Sequence, residues 1–538
     1  MCISTAMTSC VSPHPFTQKQ SLDNFQANLN ALNIQQHKLS KKLSIDEAIA
    51  RSLKYNLDYR VQQEEEGIAL ADMGVANANM LPNLMASAGY VSRNNVNAVI
   101  SPETPGQIAT SEDQNRELGD LSFSWNILDF GVSYFESKQK ADQVLIAQER
   151  ERKVANRLSK DTQKAFWRTV AAQHYLIISQ GYKDQLLKTI QSSIMAQKSK
   201  LISPLEGARL RRDLWVIYNQ MTNLNFELSK YQPELMSLMN APINENVVFD
   251  TDESQNTNPA KNLPRKIYGL EKMALYFRPE LIEENYRKRI GLNEINRARM
   301  RMIPGLEISY GTHYDSNSFL VNNNWNLLSS TLSWNIFKLL SSARQLHLAK
   351  LQANYNETRR LALSLAIITQ VDIAKIGYNY AKTNLYINDQ ILKNEKMIYQ
   401  NMLNRGNRFE NNFQLTKARG AYIIAQIKRD LAYADFQTAA SELVDSIGLS
   451  PVFSTDEINF PLDRLTQMVH KESYFSMGSK KFFTDLLNDT FKINSLITLP
   501  PPAISNTTFK IDPSITLPPP IQTHSQKHSK TIKAKKYA

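Results

Sequence analysis

Residues 304–340 read PGLEISYGTHYDSNSFLVNNNWNLLSSTLSWNIFKLL, and the alternation inside them decides the fold. Leu306, Ile308 and Tyr310 fall on one side of an extended chain, with Glu307, Ser309 and Gly311 on the other. A second run alternates Leu332, Trp334 and Ile336 with Thr331, Ser333 and Asn335, after a polar Asn/Ser loop. A period of two on both sides of a turn-rich loop predicts a β-hairpin with one apolar and one small, polar face. Strands of about ten residues with aromatics near their ends suit a membrane barrel. A soluble hairpin fits the same letters.

The pattern occurs twice. Residues 82–130 begin PNLMASAGYVSRNN and end LSFSWNILDF, so that Leu121, Phe123, Trp125 and Ile127 alternate with Ser122, Ser124 and Asn126. The tetrapeptide at Ser124–Ile127 recurs at Ser333–Ile336, 209 positions on, and Pro242 recurs as Pro451 at the same offset. A tandem duplication therefore accounts for most of the 538 residues. The loop in copy one is longer by 13 residues, which lie within the polar segment VNAVISPETPGQIATSEDQN. Long loops on one side of the strands and short connections on the other are an outer-membrane barrel trait.

Around each hairpin the sequence predicts long helices. Ser44 with Glu47 forms a capping box ahead of an apolar stripe of Ile45, Ala48, Ile49 and Leu53, opening a helix that runs to about Asn79. After the first hairpin, a stretch almost free of Gly and Pro runs from about 134 to 201, roughly 100 Å of helix. Ser203-Pro204 breaks it, and a return helix follows to about Asn240. Copy two repeats the order: a helix over 266–302, where FRPEL matches the earlier YNLDY, the hairpin at 304–338, a long helix over 340–403 and a return helix over 412–447. Ile387, Ile391, Ile398 and Met402 form a heptad-like seam. The divisions expected are an extension over 1–42, repeat 1 over 43–242 with its hairpin at 82–130, a polar linker over 243–265, repeat 2 over 266–451, a C-terminal segment over 452–490 and a Pro- and Lys-rich tail over 491–538.

The rest of the composition narrows the function. Mean hydropathy is −0.40, and no run of 18 apolar residues predicts a membrane helix. The net charge of +12 includes a lysine-rich C-terminus, and basic and aromatic residues are not interleaved as nucleic-acid binding would require. The only two cysteines, Cys2 and Cys10, precede the predicted fold and frame no disulfide or metal site. No phosphate loop, dinucleotide fingerprint, nucleophile elbow or metal-ligating His pair occurs, so no enzyme, cofactor or metal is expected. Met7-Thr8-Ser9-Cys10 resembles a degenerate lipobox, making Cys10 a candidate lipidation site beside the reading of an ordinary N-terminus. The tail carries FKINSLITLPPP at 491–502 and FKIDPSITLPPP at 509–520, read either as a solvated arm or as a docking or peptidoglycan-binding segment.

Four strands cannot close a barrel and open edges are not tolerated in lipid, so membrane insertion requires copies to pool their strands. With the order helix, hairpin, long helix, turn, return helix occurring twice, and with SIDEAI, SWNILDFG, SWNIFKLL and LISPLEGAR at their places, residues 40–452 resemble the TolC-type outer-membrane efflux proteins. The resemblance implies a membrane β-barrel plus long α-helical coiled coil: four strands per chain, a 12-stranded trimeric barrel, and a helical tunnel through the periplasm. It implies a homotrimer in outer-membrane lipid, working with a periplasmic adaptor and an inner-membrane transporter in efflux or type I secretion. GNR at 406–408 resembles the family's gate segment, pointing to Arg408, with Ser203 and the LISPLEGAR turn as its receiver. The family's gate acids fall on Asn412 and Leu415, leaving Glu206 and Glu410 as nearby acids. Trp125 and Trp334 are the expected barrel aromatics. A soluble coiled-coil scaffold or adaptor is the alternative.

Overall fold

The computed structural model describes residues 14–32, 39–40, 42–100, 106–242, 247–250, 263, 266–404, 409–449, 453 and 455–478. Within the body formed by residues 1–483, each repeat holds two short helices, a long antiparallel strand pair and a long helical hairpin. A helix α1 (Gln18–Leu32) precedes strand β1 (Lys42–Leu43). Repeat 1 contains α2 (Ile45–Tyr55), α3 (Leu57–Ala78), β2 (Asn83–Ser92), β3 (Asn97–Ile100), β4 (Ile108–Glu112), β5 (Asn115–Asn126), α4 (Ile127–Ser179), α5 (Tyr182–Lys198), α6 (Pro204–Leu228) and α7 (Tyr231–Leu238). After β6 (Val248–Phe249), repeat 2 contains α8 (Ile267–Phe277), α9 (Pro279–Met300), β7 (Gly305–Asp315), β8 (Asn324–Ser333), α10 (Ile336–Leu403) and α11 (Phe409–Ser446); α12 (Thr455–Ile458) and α13 (Leu462–Gly478) follow.

The strands form one antiparallel sheet in the order β2-β5-β7-β8, so the two copies of the hairpin meet along β5 and β7. Trp125 opposes Ile308, and Phe123 opposes Tyr310. Strand ends and helix starts are set by the duplicated tetrapeptide. Asn126 ends β5, and its side chain accepts from the backbone N–H groups of Leu128 and Asp129, capping α4. Asn335 stands at the same place before α10. The expected strand to residue 338 is thereby corrected: β8 ends at Ser333, and Ile336 already belongs to α10.

Other boundaries also differ from the reading of the sequence. The helix expected from 44 to 79 is two helices meeting at Asn56, which ends α2 and whose side chain caps α3 by accepting from Tyr59 N–H. In repeat 2 the Arg278-Pro279 step makes the same joint. The long helix of repeat 1 is interrupted at Gln180–Gly181, where Gly181 takes φ +70°, whereas α10 runs unbroken for 68 residues. Within the N-terminal extension over 1–42, α1 is helical, with Leu22, Phe25 and Leu29 exposed. The linker over 243–265 contains β6, which pairs in parallel with β1 and buries Phe249 against Phe166. The C-terminal segment folds back: Leu465 and Val469 of α13 are fully buried with Ile49 and Leu53 of α2. These short pieces close one apolar core around the middle of α4 and α11, including Phe166, Trp167, Met236, Met239 and Ala434.

Toward the sheet, the helices lie side by side in the order α3, α4, α9, α10. Ion pairs stitch this layer together. Lys140 meets Asp72 across α3–α4, Arg289 meets Asp142 and Arg297 meets Glu136 across α4–α9, and Lys288 meets Glu357 across α9–α10. α10 contains a stretch apolar enough, by length and composition, to cross a membrane, which the sequence reading did not anticipate. In the structure one side of that helix packs on α9 and α11.

Candidate functional site: an open sheet and a helical mouth

The sheet has two chemically distinct faces. One carries Leu84, Ala86, Ala88 and Tyr90 of β2, Leu121, Phe123 and Trp125 of β5, Leu306, Ile308 and Tyr310 of β7, and Leu328 and Leu332 of β8. It stays open: Leu84 is 71% exposed, Leu328 73% and Leu332 70%. A face this apolar left bare is a surface for lipid or for another protein. Trp125 lies on it and meets Phe130 edge-on at 5.6 Å; Trp334 is also exposed but sits just past the end of β8. The other face carries Ser122, Ser124, Ser309, Gly311, Ser329 and Thr331.

The sheet's flanks are open as well. β2 and β8 each pair on one side only. The helices continuing from them behave alike. α3 exposes Leu57, Val61, Ile68 and Val75 at heptad-like spacing, and α10 exposes Leu348, Leu351, Tyr355, Leu361 and Leu365. One flank of the chain is thus α3 running into β2, and the other is β8 running into α10.

At the far side of the sheet the two loops lock together. The extra residues of copy one form the β3–β4 hairpin, which the sequence reading left as a loop tip. Beside it, Asp113 accepts from the Ser318 hydroxyl at 2.9 Å, Arg116 meets Asp315 at 3.1 Å, and the Asn317 side chain donates to Ser111 O at 3.0 Å.

At the opposite end, Ser203 caps α6 by accepting from the N–H of Glu206 at 3.2 Å, with Pro204 in the first turn. Glu206 and Asn412 are exposed. Arg408 lies outside the described residues, as does Cys10, and Glu410 is placed only as part of α11. Among the described residues, therefore, Ser203 and Glu206 meet through this cap, and no hydrogen bond joins Asn412 to either.

What the structure assembles just inside this mouth is a belt that sequence reasoning missed. Tyr182, the first residue of α5, is fully buried, and its hydroxyl donates to Thr416 O at 2.6 Å. Burial pushes the Tyr182 phenol well above its ordinary range. The Thr416 and Thr189 hydroxyls approach at 3.4 Å, and Arg419 donates to Gln185 with its guanidinium over the Tyr182 ring. Lys417 reaches Asp213 of α6 at 2.7 Å; that contact, with Arg212 beside it, holds the Asp213 carboxyl below its usual range. Gly420 lets the chains approach, because a Cβ there would strike the Tyr182 hydroxyl and come within 2.8 Å of Ile217. Thr416, Lys417, Arg419 and Gly420 of α11 thus grip both α5 and α6. The signal available in the sequence was Gly420 alone, a glycine inside a helical pattern.

Solved structures share this fold. The outer-membrane channel OprN is 16% identical, with a TM-score of 0.59 over 75% of this chain and 89% of its own. CusC, described for its conformational changes on folding and transmembrane channel formation, is 15% identical, with a TM-score of 0.59 over 78% of this chain and 96% of its own. The CmeC outer-membrane channel of Campylobacter jejuni is 12% identical, with a TM-score of 0.58 over 80% of this chain and 89% of its own. This chain has the fold of the TolC-type outer-membrane channels. No family model and no curated protein matches the sequence. In the channel fold, the two repeats give the paired hairpins and the paired helical arms; the β3–β4 hairpin is present in copy one alone.

Proposed function

We propose that the protein is an outer-membrane exit duct, a passive conduit for solutes delivered by an inner-membrane transporter through a periplasmic adaptor, in efflux or type I secretion. The observation that carries this is the sheet β2-β5-β7-β8, apolar on one face and unpaired at both edges. Such edges are costly in lipid unless another strand covers them. Three chains would supply twelve strands, with β8 of one chain meeting β2 of the next and α10 meeting α3. The apolar stripes on those two helices support that pairing. The helical arms would then form the periplasmic tunnel, and Cys10, once acylated, would add a second hold on the membrane.

Arg408 is proposed as the gate cation at the mouth, with Ser203, Glu206, Glu410 and Asn412 on the facing turns. Replacing it, as Arg408→Ala, is expected to raise single-channel conductance; unchanged conductance would remove Arg408 from the gate.

The main test is fractionation followed by reconstitution of the full chain. Recovery in outer-membrane vesicles as a three-chain assembly, with step-like currents in planar bilayers, is expected. Recovery as a water-soluble single chain with no current would instead favour a coiled-coil scaffold.

A further inference from the structure

The polar face of the sheet is sparsely charged, and its charges are arranged. Its ionisable side chains are Arg116, Asp120, Glu307, His313 and Asp315, whereas the apolar face carries one charged residue, Glu117 at the rim. Arg116 and Asp315 neutralise each other at 3.1 Å. What remains is acidic.

One register level is constructed differently from the others. Ser87, Asp120, His313 and Trp325 stand opposite one another across all four strands. His313 Nδ1 lies 2.6 Å from Asp120 Oδ1, and the Ser87 hydroxyl donates to Asp120 Oδ2 at 3.4 Å. The imidazole lies against the Trp325 ring, with centroids 5.5 Å apart and planes inclined by 21°. It also leans over Gly311, where a Cβ would come within 2.9 Å of its Nε2. The carboxylate is therefore held by neighbours on both sides and still 42% exposed. A fixed, solvated carboxylate acts on passing ions; a mobile one spreads its charge.

We propose that this row is the charge-selective level of the exit pore, favouring cations over anions. The proposal rests on the channel reading, because it takes the polar face as the inside of a closed barrel. With strands spaced about 4.8 Å apart and tilted near 40°, a twelve-stranded barrel has a backbone radius of roughly 12 Å. Side chains reach a few ångströms inward, so three such carboxylates would lie within about one Debye length of the axis at 0.1 M salt. At 1 M the screening length is about 3 Å, and the same ring is electrically distant from the axis. Rings of acidic side chains are an established means of cation selection in pores. Glu307 stands about 20 Å closer to the helices on the same face and marks a separate level.

The experiment uses the full-length assembly in planar bilayers at pH 8, above the usual imidazole titration range. The reversal potential is read in a KCl gradient centred near 0.1 M and again near 1 M. The expected result is cation preference at the lower salt that fades at the higher. Asp120→Asn, which keeps the side-chain shape, should lower the cation-to-anion permeability ratio about twofold or more while conductance persists. Ser122→Asp, one step along the same face, should raise it. A conducting wild type that prefers anions overturns the proposal, and so does an unchanged reversal potential in both variants. A wild type with no current at all overturns the channel reading itself, and this proposal with it.

Discussion

Gly420 and Tyr182 show how much can depend on a single hydrogen atom in place of a methyl. Tyr182 is buried and spends its hydroxyl on Thr416 O, so it has no direction in which to yield. Gly420→Ala is expected to destabilise the protein by about 1–3 kcal/mol, as overpacking does, read as a lower unfolding midpoint. Tyr182→Phe should cost about 1 kcal/mol by removing the hydroxyl's hydrogen bond to Thr416 O, with packing kept. If Gly420→Ala matches the wild type in thermal unfolding, the belt is looser than its geometry says. Glu357 is a different kind of residue. Arg360, then Lys288, hold its carboxyl down to about 2. A carboxyl with a lowered folded pKa stabilises fully above its ordinary value near 4.5, and that contribution disappears as pH falls toward 2. Glu357→Gln should therefore lower the unfolding midpoint at pH 7, and the difference should vanish as pH falls through 2. Because the side chain is 37% exposed, the effect at pH 7 should stay below about 1 kcal/mol.

At the scale of elements, the sequence was legible where periodicity was long. The strands, the long arms and the duplication follow from alternation and from the 209-residue offset, because a buried or lipid-facing side imposes its period on the letters. The short pieces were not legible. β1 and β6 contribute two residues each, and only their burial with Phe166 and Met236 makes them strands. The joint at Asn56 hid inside a helical pattern, since an Asn that caps by its side chain looks locally like any polar residue. Among the site residues, Trp125 could be placed on the apolar face of a strand because its strand alternates. The Asp120–His313–Trp325 level could not, because it exists only across three strands whose register the sequence leaves open. Register also makes a prediction. His313→Ala should leave the strand pairing intact and release the Trp325 indole from its stack, changing tryptophan emission without changing assembly size.

For the whole molecule, what matters is that the two halves are not equivalent although they share a plan. Copy two holds α10 as one rod, while copy one is interrupted at Gln180–Gly181 directly before the Tyr182 belt. An unbroken helix transmits torque along its length; a left-handed residue between two helices does not. In a ring of such chains, stiff and compliant staves would alternate. A push arriving at the lower turns would travel up α10 to the sheet, but along the other arm it would be absorbed as a bend at Gly181. The duplicated plan thus holds one unbroken arm and one jointed arm, and on the proposed channel reading the joint at Gly181 would let the mouth widen without moving the sheet.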